Sequence, residues 1–352
     1  MPLKEVIEKY KPLIERKLKE VFSEEAYKGP LEELKYFYYS LEEFTLRGGK
    51  RLRPIALIMA YRSVKSLTEE EEDTLAKVAT CIELLHNSTL IHDDIIDRDR
   101  LRRGKPSFHV IFEKRYSDKP QAPHIGVSYA ILGGDELFNM GFKVLANAPF
   151  RHDLVLKALN AYTRAYSEIV CGEILDIYFS IRRNASLEDY FKLVELKTAS
   201  LFKASIEIGL VLAESSEELL RNMLLYADNV AKAFQIKDDI LGLYGTEAKL
   251  GKPIGSDLRE GKATILTVLA FKSLPLNERN RLLSLLGRED ISLKDIEWAR
   301  EILIKYNVKS KAEEYMTEFS NKALHYLSLC NIDDYSKKFF AELVDYVMKR
   351  EY

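Results

Sequence analysis

The stretch from Leu90 to Pro106, LIHDDIIDRDRLRRGKP, ends an apolar run in Asp93, Asp94, Asp97 and Asp99, then turns basic at Arg102 and Arg103. Residues three and four apart on a helix share a face. His86, Leu90, Asp93 and Asp97 follow that spacing, so Asp93 and Asp97 can point side by side into one cavity. Two carboxylates alone bind little, but they become a metal site if a second set faces them. FQIKDDILG echoes the pattern and supplies Asp238 and Asp239, with Gln235 one turn earlier. The donors are hard oxygens with no paired His or Cys, which selects Mg2+ over Zn2+; Mg2+ takes a few carboxylates plus substrate phosphates. One acidic doublet is often only a solvated helix end, but two inside otherwise apolar helical runs fit that reading poorly.

Cations surround these motifs in sequence. GGKRLRP brings Lys50, Arg51 and Arg53 beside two glycines, Arg102 and Arg103 follow the first acidic motif, and Lys197 and Thr198 lie in ELKTASLF. Lys252 and Lys262 flank GSDLREGK. Arg suits bidentate phosphate contacts and Lys acts as a point charge. Any one of them alone reads as a surface cation. Their number around two acidic motifs fits a metal–diphosphate complex, and basic groups without metal partners could hold a second diphosphate.

Helices must position these groups. Prolines are absent between Pro149 and Pro253 and after Pro275, and apolar residues recur at three and four spacing, as in Leu154, Leu159, Tyr162, Tyr166 and Ile169. Period-2 strands between turn signals are missing. The pattern predicts an all-α fold of ten or more helices in a single domain over residues 1–352, with breaks such as RGGK, RRGKP and SDKPQAP and no long flexible linker. With 352 residues, 47% of them hydrophobic, and a net charge of -2, a sizeable core is possible and bulk charge gives no support for nucleic-acid binding. Cys81, Cys171 and Cys330 form no CxxC pair and fit a reducing cytoplasm. Neither a signal-peptide core nor a membrane span is expected. Only Gln121 and Gln235 are glutamines, against 31% charged residues, a composition that hints at a thermophilic source.

The ordered series GGKRLRP, LLHNSTLIHDDIIDRDRLRRGKPSFH, GGDELF, CGEILDI, LKTASLF, FQIKDDILG and GKPIGSDLREGKAT, over about residues 40–270, resembles the trans-isoprenyl diphosphate synthases, or polyprenyl synthases, and among them most resembles the archaeal geranylgeranyl diphosphate synthases. The resemblance implies a helical bundle around a deep central cavity, a homodimer, and condensation of isopentenyl diphosphate with an allylic diphosphate (dimethylallyl, geranyl or farnesyl), with three Mg2+ ions when substrate is bound. It implies Asp93 and Asp97, supported by Asp94, on the metal of the allylic diphosphate, and Asp238 with Asp239 on the facing metal. It implies Lys50, Arg53, His86 and Arg103 on isopentenyl diphosphate, and Arg102, Lys197, Lys252 and Lys262 on the allylic diphosphate. Thr198 and Gln235 would lie near the developing carbocation. His86, neutral or charged near neutral pH, suits a diphosphate contact.

Departures matter. The family's second motif is often DDxxD, yet position 242 is Gly, so Asp257 is a candidate replacement; Glu173 stands where many relatives have Gln, Asp176 reads as an orienting residue, and His92 as packing or hydrogen bonding. Chain length should depend on Ser88 and Thr89, one turn below the metals, then on Leu84, Leu85 and Cys81, with Phe138 or Phe142 approaching from a neighbouring helix. In the family an aromatic at the Ser88 position often stops the growing chain. A small Ser88 implies a deeper floor and geranylgeranyl diphosphate, with a longer polyprenyl product as the alternative. Three other classes compete. An HD-type phosphohydrolase would use His92–Asp93 but lacks further spaced histidines. A non-catalytic prenyltransferase subunit tends to lose acidic motifs, and a terpene cyclase does not need the Lys50, Arg53 and Arg103 set.

Overall fold

The periodic segments form sixteen α-helices among the described residues, which are 2–25, 29–245 and 254–349 of a computed structural model. They group into two compact units. The first takes residues 1–163, 204–216 and 332–339, the second residues 164–203, 217–331 and 340–352. No described helix is long and apolar enough to cross a membrane.

In the first unit α1 (Pro2–Glu25), α2 (Glu32–Leu46), α3 (Leu52–Arg62), α4 (Glu69–Ile96), α5 (Phe108–Arg115) and α6 (Ala122–Ala146) follow in order, joined by parts of α7 (His152–Arg182), α9 (Ser200–Leu212) and α16 (Asp334–Lys349). Thr68 starts α4 with a capping box: its hydroxyl accepts the Glu71 N–H, and the Glu71 carboxylate accepts the Thr68 N–H. Leu75, Val78, Ile82 and Leu85 then bury one face, each worth roughly 1.5–3 kcal/mol when fully covered. The main partner of α4 is α6. Gly134 on α6 leaves room for the His92 ring, which would meet a β-carbon there at 2.1 Å. A ring cluster of Phe37, Phe44, Phe108, Phe112 and Tyr129 ties α2, α5 and α6 together.

In the second unit α8 (Leu187–Val194), a π-helical turn (Glu195–Ala199) and α10 (Glu217–Tyr244) precede α11 (Ser256–Glu260), α12 (Ile265–Ser273), α13 (Leu276–Leu285), α14 (Leu293–Lys305) and α15 (Val308–Ser328). Here α10 packs chiefly on α15. Ser186, Thr264 and Ser292 cap α8, α12 and α14 with their hydroxyls, which explains why these short helices begin where they do. Among the described residues the only β-structure is a two-residue pairing, β1 (Leu101–Arg102) with β2 (Lys105–Pro106). The sequence shows no period-2 signal there because the strands are too short to have one.

Candidate functional site

In the first unit α4 ends at Asp97, its C-cap, so Asp93, Asp94 and Asp97 all crowd the helix C-terminus, with no basic residue in the last turn. That end of a helix favours cations. Acids placed there cost the helix stability and make sense where a cation joins them. Asp93 and Asp97 bring carboxylate oxygens within 4.8 Å of one another. Asp94 is oriented differently. It is fully buried, and its Oδ1 accepts from Arg102 Nε at 2.6 Å and again from Nη2 of the same guanidinium. Arg102 Nη2 also lies 3.1 Å from Asp93 Oδ2 and 3.5 Å from Asp99 Oδ2. Burial pushes the Asp94 carboxyl up to about 7 against the pull of Arg102. Burial also opposes the Arg102 charge, but the Asp94, Asp93 and Asp99 carboxylates outweigh it and keep the guanidinium protonated.

The hairpin sorts the two arginines. Arg103 and Gly104 between its strands have φ of 54° and 73°, the pair of positive values that a two-residue type I′ turn requires. Arg102 goes to the carboxylates, while Arg103 Nη1 donates to the carbonyls of Arg47 and Gly48, the loop that carries Lys50. From α3, Arg53 Nη1 comes to 3.4 Å from His86 Nε2 on α4. Burial and the fields of Arg53, Arg103, Arg102 and Arg51 hold the His86 imidazole well below its ordinary pKa. This narrows the expectation to a neutral ring near neutral pH. Of the four groups expected on isopentenyl diphosphate, Arg53, His86 and Arg103 thus share one positive region, and Lys50 is exposed on the adjoining loop.

Sequence reading gave Arg51 no role of its own. It is buried, with φ of 55°, at the N-cap of α3, and its Nη1 donates to Glu83 Oε1 at 2.5 Å. The available signal was Glu83 itself, an acid inside the apolar run CIELL. His92, one half of the hydrolase alternative's HD pair, fills the gap at Gly134 and places Nε2 3.2 Å from the Ile131 carbonyl.

In the second unit the π-helical turn carries Lys197 and Thr198; such bulges are frequent at functional sites. Gly172 on α7 accommodates the turn, since a β-carbon there would lie 2.5 Å from the Lys197 nitrogen. Lys197 Nζ reaches Asp176 at 2.6 Å and Glu173 at 2.9 Å. Thr198 Oγ1 donates to Gln235 Oε1 at 2.8 Å, and Gln235 Nε2 donates to Asp239 Oδ1 at 2.9 Å. Asp239 is buried, and its Oδ2 accepts from the Tyr190 hydroxyl and the Ile265 N–H, each at 2.8 Å. Burial pushes its carboxyl up to about 7 and Tyr190 above the ordinary tyrosine range. Asp238 stays half-buried beside it near the end of α10, whose last turn has no basic residue.

Gly242, the third position of the second motif, has Asp257 over it: a β-carbon on Gly242 would sit 2.7 Å from Asp257 Oδ2. The Gly255 N–H donates to the Gly242 carbonyl at 3.3 Å, which brings the α11 segment there. Lys262 Nζ lies 2.9 Å from Glu260. Lys252 lies outside the described residues.

Ser88, Leu84, Leu85 and Cys81 on α4 are completely buried, and Thr89, half-buried, donates its hydroxyl to the His86 carbonyl. The Ser88 hydroxyl has no hydrogen-bond partner among the described residues. Phe138 packs its ring 5.5 Å from that of Tyr162, whereas Phe142 lies at the surface, 36% exposed.

A sequence profile of the polyprenyl synthetase family matches residues 34–303. The chain is 36% identical over 289 residues to a geranylgeranyl diphosphate synthase of Saccharolobus solfataricus, covering 80% of each chain. It is 34% identical over 307 residues to a geranylfarnesyl diphosphate synthase of Aeropyrum pernix, covering 86% of this chain and 91% of the other. A crystal structure of geranylgeranyl pyrophosphate synthase from Corynebacterium glutamicum, complexed with isoprenyl diphosphate and magnesium, superimposes with a TM-score of 0.90 at 26% identity, covering 97% of this chain and 99% of that one. By profile, sequence and fold together, the chain belongs to the polyprenyl synthetase family and is a trans-prenyltransferase.

Proposed function

We propose that this prenyltransferase condenses isopentenyl diphosphate with dimethylallyl, geranyl or farnesyl diphosphate and delivers mainly geranylgeranyl diphosphate. The observation that carries this reading is the juxtaposition, within one unit, of Asp93 and Asp97 at the end of α4 with the Arg53, His86 and Arg103 group. A lone diphosphate hydrolase or cyclase has no use for that second cationic region.

The donors fit Mg2+: Asp93 and Asp97 offer hard oxygens close together at a helix C-terminus, and Asp94 keeps a buried Oδ2 without a hydrogen bond. In this reading Asp93 and Asp97 would hold one metal and Asp238 another, and the metals when bound would supply Lewis-acid neutralisation of the departing diphosphate. Arg102, Lys197, Lys252 and Lys262 grip the allylic diphosphate, and Lys50, Arg53, His86 and Arg103 the isopentenyl diphosphate. Thr198 and Gln235 turn their dipoles toward the charge that develops as the allylic C–O bond breaks. The double bond of isopentenyl diphosphate attacks that carbon, and transfer of a proton to the released diphosphate completes the new chain.

The two units interleave in sequence, which supports reading residues 1–352 as one functional domain. A homodimer is supported by an apolar stripe on α7, where Val170, Ile174, Ile177, Tyr178 and Ile181 are all exposed. Both acidic motifs are present, the second with Gly242 at its third position, which favours a catalytic chain over a regulatory subunit.

The deciding experiment incubates the purified chain with isopentenyl diphosphate, Mg2+ and each allylic diphosphate in turn, and chromatographs the dephosphorylated products. Diphosphate release with a twenty-carbon product is expected. A twenty-five-carbon or longer main product overturns the chain-length reading only; free phosphate without elongation overturns the reaction.

A further inference from the structure

Asp239 carries more hydrogen bonds than a metal ligand needs. A carboxylate has about four acceptor positions. Three are taken here: both on Oδ2, by the Tyr190 hydroxyl and the Ile265 N–H, and one on Oδ1, by the Gln235 amide. The side chain is buried, the Tyr190 ring is 1% exposed, and the donors arrive from α8, α10 and the first turn of α12. A fourth link follows, because Gln235 uses its amide oxygen to accept from Thr198 on the π-helical turn. With Asp239 ionised and able only to accept, the Gln235 nitrogen faces Asp239 and its oxygen faces Thr198.

We infer that Asp239 and Tyr190 are positioning residues, which fix the Gln235 amide and, through it, the Thr198 hydroxyl. This rests on the proposed prenyl transfer, in which Thr198 and Gln235 meet the developing cation. The chain of contacts gives each member one task. Tyr190 and the Ile265 N–H saturate Oδ2 and lock the carboxylate plane. Oδ1 then accepts only from the amide, so Gln235 cannot flip, and Thr198 is held in one rotamer by the Gln235 oxygen. Nothing in this relay touches substrate except its far end. Asp238, one residue earlier and half-buried, is left as the acid of this motif that can meet a metal.

The test exploits composition. Gln121 and Gln235 are the only glutamines, so labelling with side-chain 15N-glutamine gives two amide pairs and a direct view of one of them. Tyr190→Phe removes a single hydroxyl. It should shift the Gln235 side-chain amide signal and speed its exchange with solvent while Gln121 stays unmoved. In parallel kcat should fall about tenfold with the KM of the allylic diphosphate within twofold, and in a Gln235→Ala background the same change should lower kcat less than twofold. A purely structural tyrosine would lower kcat by the same factor in both backgrounds.

Should Tyr190→Phe fold poorly, Ile265→Pro removes the other Oδ2 donor. Proline is accepted at that first helical position, and Thr264 before it is already extended. Asp239→Asn should retain metal-dependent binding of a non-ionising allylic thiolodiphosphate to within threefold while kcat drops; a metal-ligand role would abolish both. An unmoved Gln235 signal in Tyr190→Phe and Ile265→Pro, or equal kcat losses in the two backgrounds, overturns the inference. Failure of the wild-type chain to elongate any allylic diphosphate overturns the reaction instead, and the amide signals still decide the relay.

Discussion

The two acidic motifs look interchangeable as strings, DDIID and DDILG, but α4 and α10 use them differently. Each puts its aspartates at the C-terminal end of a 28-residue helix with no basic residue in the last turn. In each the first aspartate is half-buried and the second is clamped in the interior. The clamps differ in charge. Asp94 is held by the Arg102 guanidinium, whereas Asp239 is held by a phenol, an amide and a backbone N–H. A charged clamp compensates a carboxylate and keeps a cation beside Asp93, where an anion can share it. A neutral clamp leaves the charge alone and fixes direction. The third acid differs as well: Asp97 follows Asp93 by one helical turn, while at Gly242 the carboxylate is imported from Asp257.

The most severe way to break this comparison is to remove the first aspartates. Asp93→Ala and Asp238→Ala should each lower turnover by on the order of a thousandfold or more, because on the proposed assignment each would delete a contact to the metal that stabilises the departing diphosphate. Circular dichroism should show the helices intact. Near-normal turnover in either variant at ordinary Mg2+ would remove that residue from the metal site. A smaller effect tests the imported acid. Asp257→Asn should cost on the order of tenfold in kcat and weaken Mn2+ binding measured by calorimetry with a thiolodiphosphate present. Gly242→Ala should do the same without touching Asp257, since its β-carbon must displace that carboxylate. Loss in one variant and not the other would separate Asp257 from Gly242.

The cationic groups sharpen the comparison from the substrate side. Arg53→Ala should raise the KM for isopentenyl diphosphate about tenfold, the loss of one charge-assisted contact, and leave the allylic KM within twofold. Lys262→Ala should show the reverse. Equal shifts in both substrates for both variants would dissolve the two-site partition. A smaller effect comes from His86. Its pKa is lowered in the folded chain, so below the ordinary histidine value the unfolded chain takes up a proton that the folded one refuses. This contribution is therefore absent above about pH 6.5 and destabilises the fold as pH falls below it, by about 1 kcal/mol at pH 5.5. Denaturant unfolding at pH 7.5 and 5.5 should show the wild type losing that much more than His86→Gln. Equal losses would mean that burial and the neighbouring arginines do not hold the ring neutral.

Helix spacing made Asp93 and Asp97 legible as neighbours, and the distance between their oxygens agrees. Lys197, Thr198, Gln235 and Asp239 were named one by one, yet no sequence period links a π-helical turn to α10 or to a helix starting at Ile265. Tyr190 left no trace because a tyrosine in LEDYFKLV reads as amphipathic packing until its hydroxyl is seen. Arg51 was hidden among other cations, and only its burial against Glu83 separates it from Lys50 and Arg53. The hairpin that divides Arg102 from Arg103 depends on two positive φ values, of which only the one at Gly104 has a residue that announces it.

The smallest effect on rate, and the largest on outcome, concerns Ser88. It lies five residues before Asp93 on α4, completely buried, with a hydroxyl that finds no hydrogen-bond partner among the described residues. A buried hydroxyl left in that state is unfavourable by about 1–3 kcal/mol, which a residue chosen only for packing would avoid as alanine. Leu84, Leu85 and Cys81 continue the same helix below it and are equally covered. A helical turn rises about 5.4 Å, close to one isoprene unit, so on the proposed reading a wall running from Ser88 to near Leu84 would add one unit of depth beyond a floor set at Ser88. Ser88→Phe should therefore shorten the main product toward farnesyl diphosphate, with total turnover within about threefold and an overpacking penalty of about 1–3 kcal/mol in stability. Leu84→Ala and Phe138→Ala should lengthen the product by opening the lower wall; Phe138 is the better choice from α6 because it packs on Tyr162 while Phe142 is exposed. Chromatography of dephosphorylated products from all three variants decides the matter. An unchanged distribution in Ser88→Phe, in a variant that melts within a few degrees of the wild type, takes Ser88 out of the cavity wall and removes the argument for a twenty-carbon product.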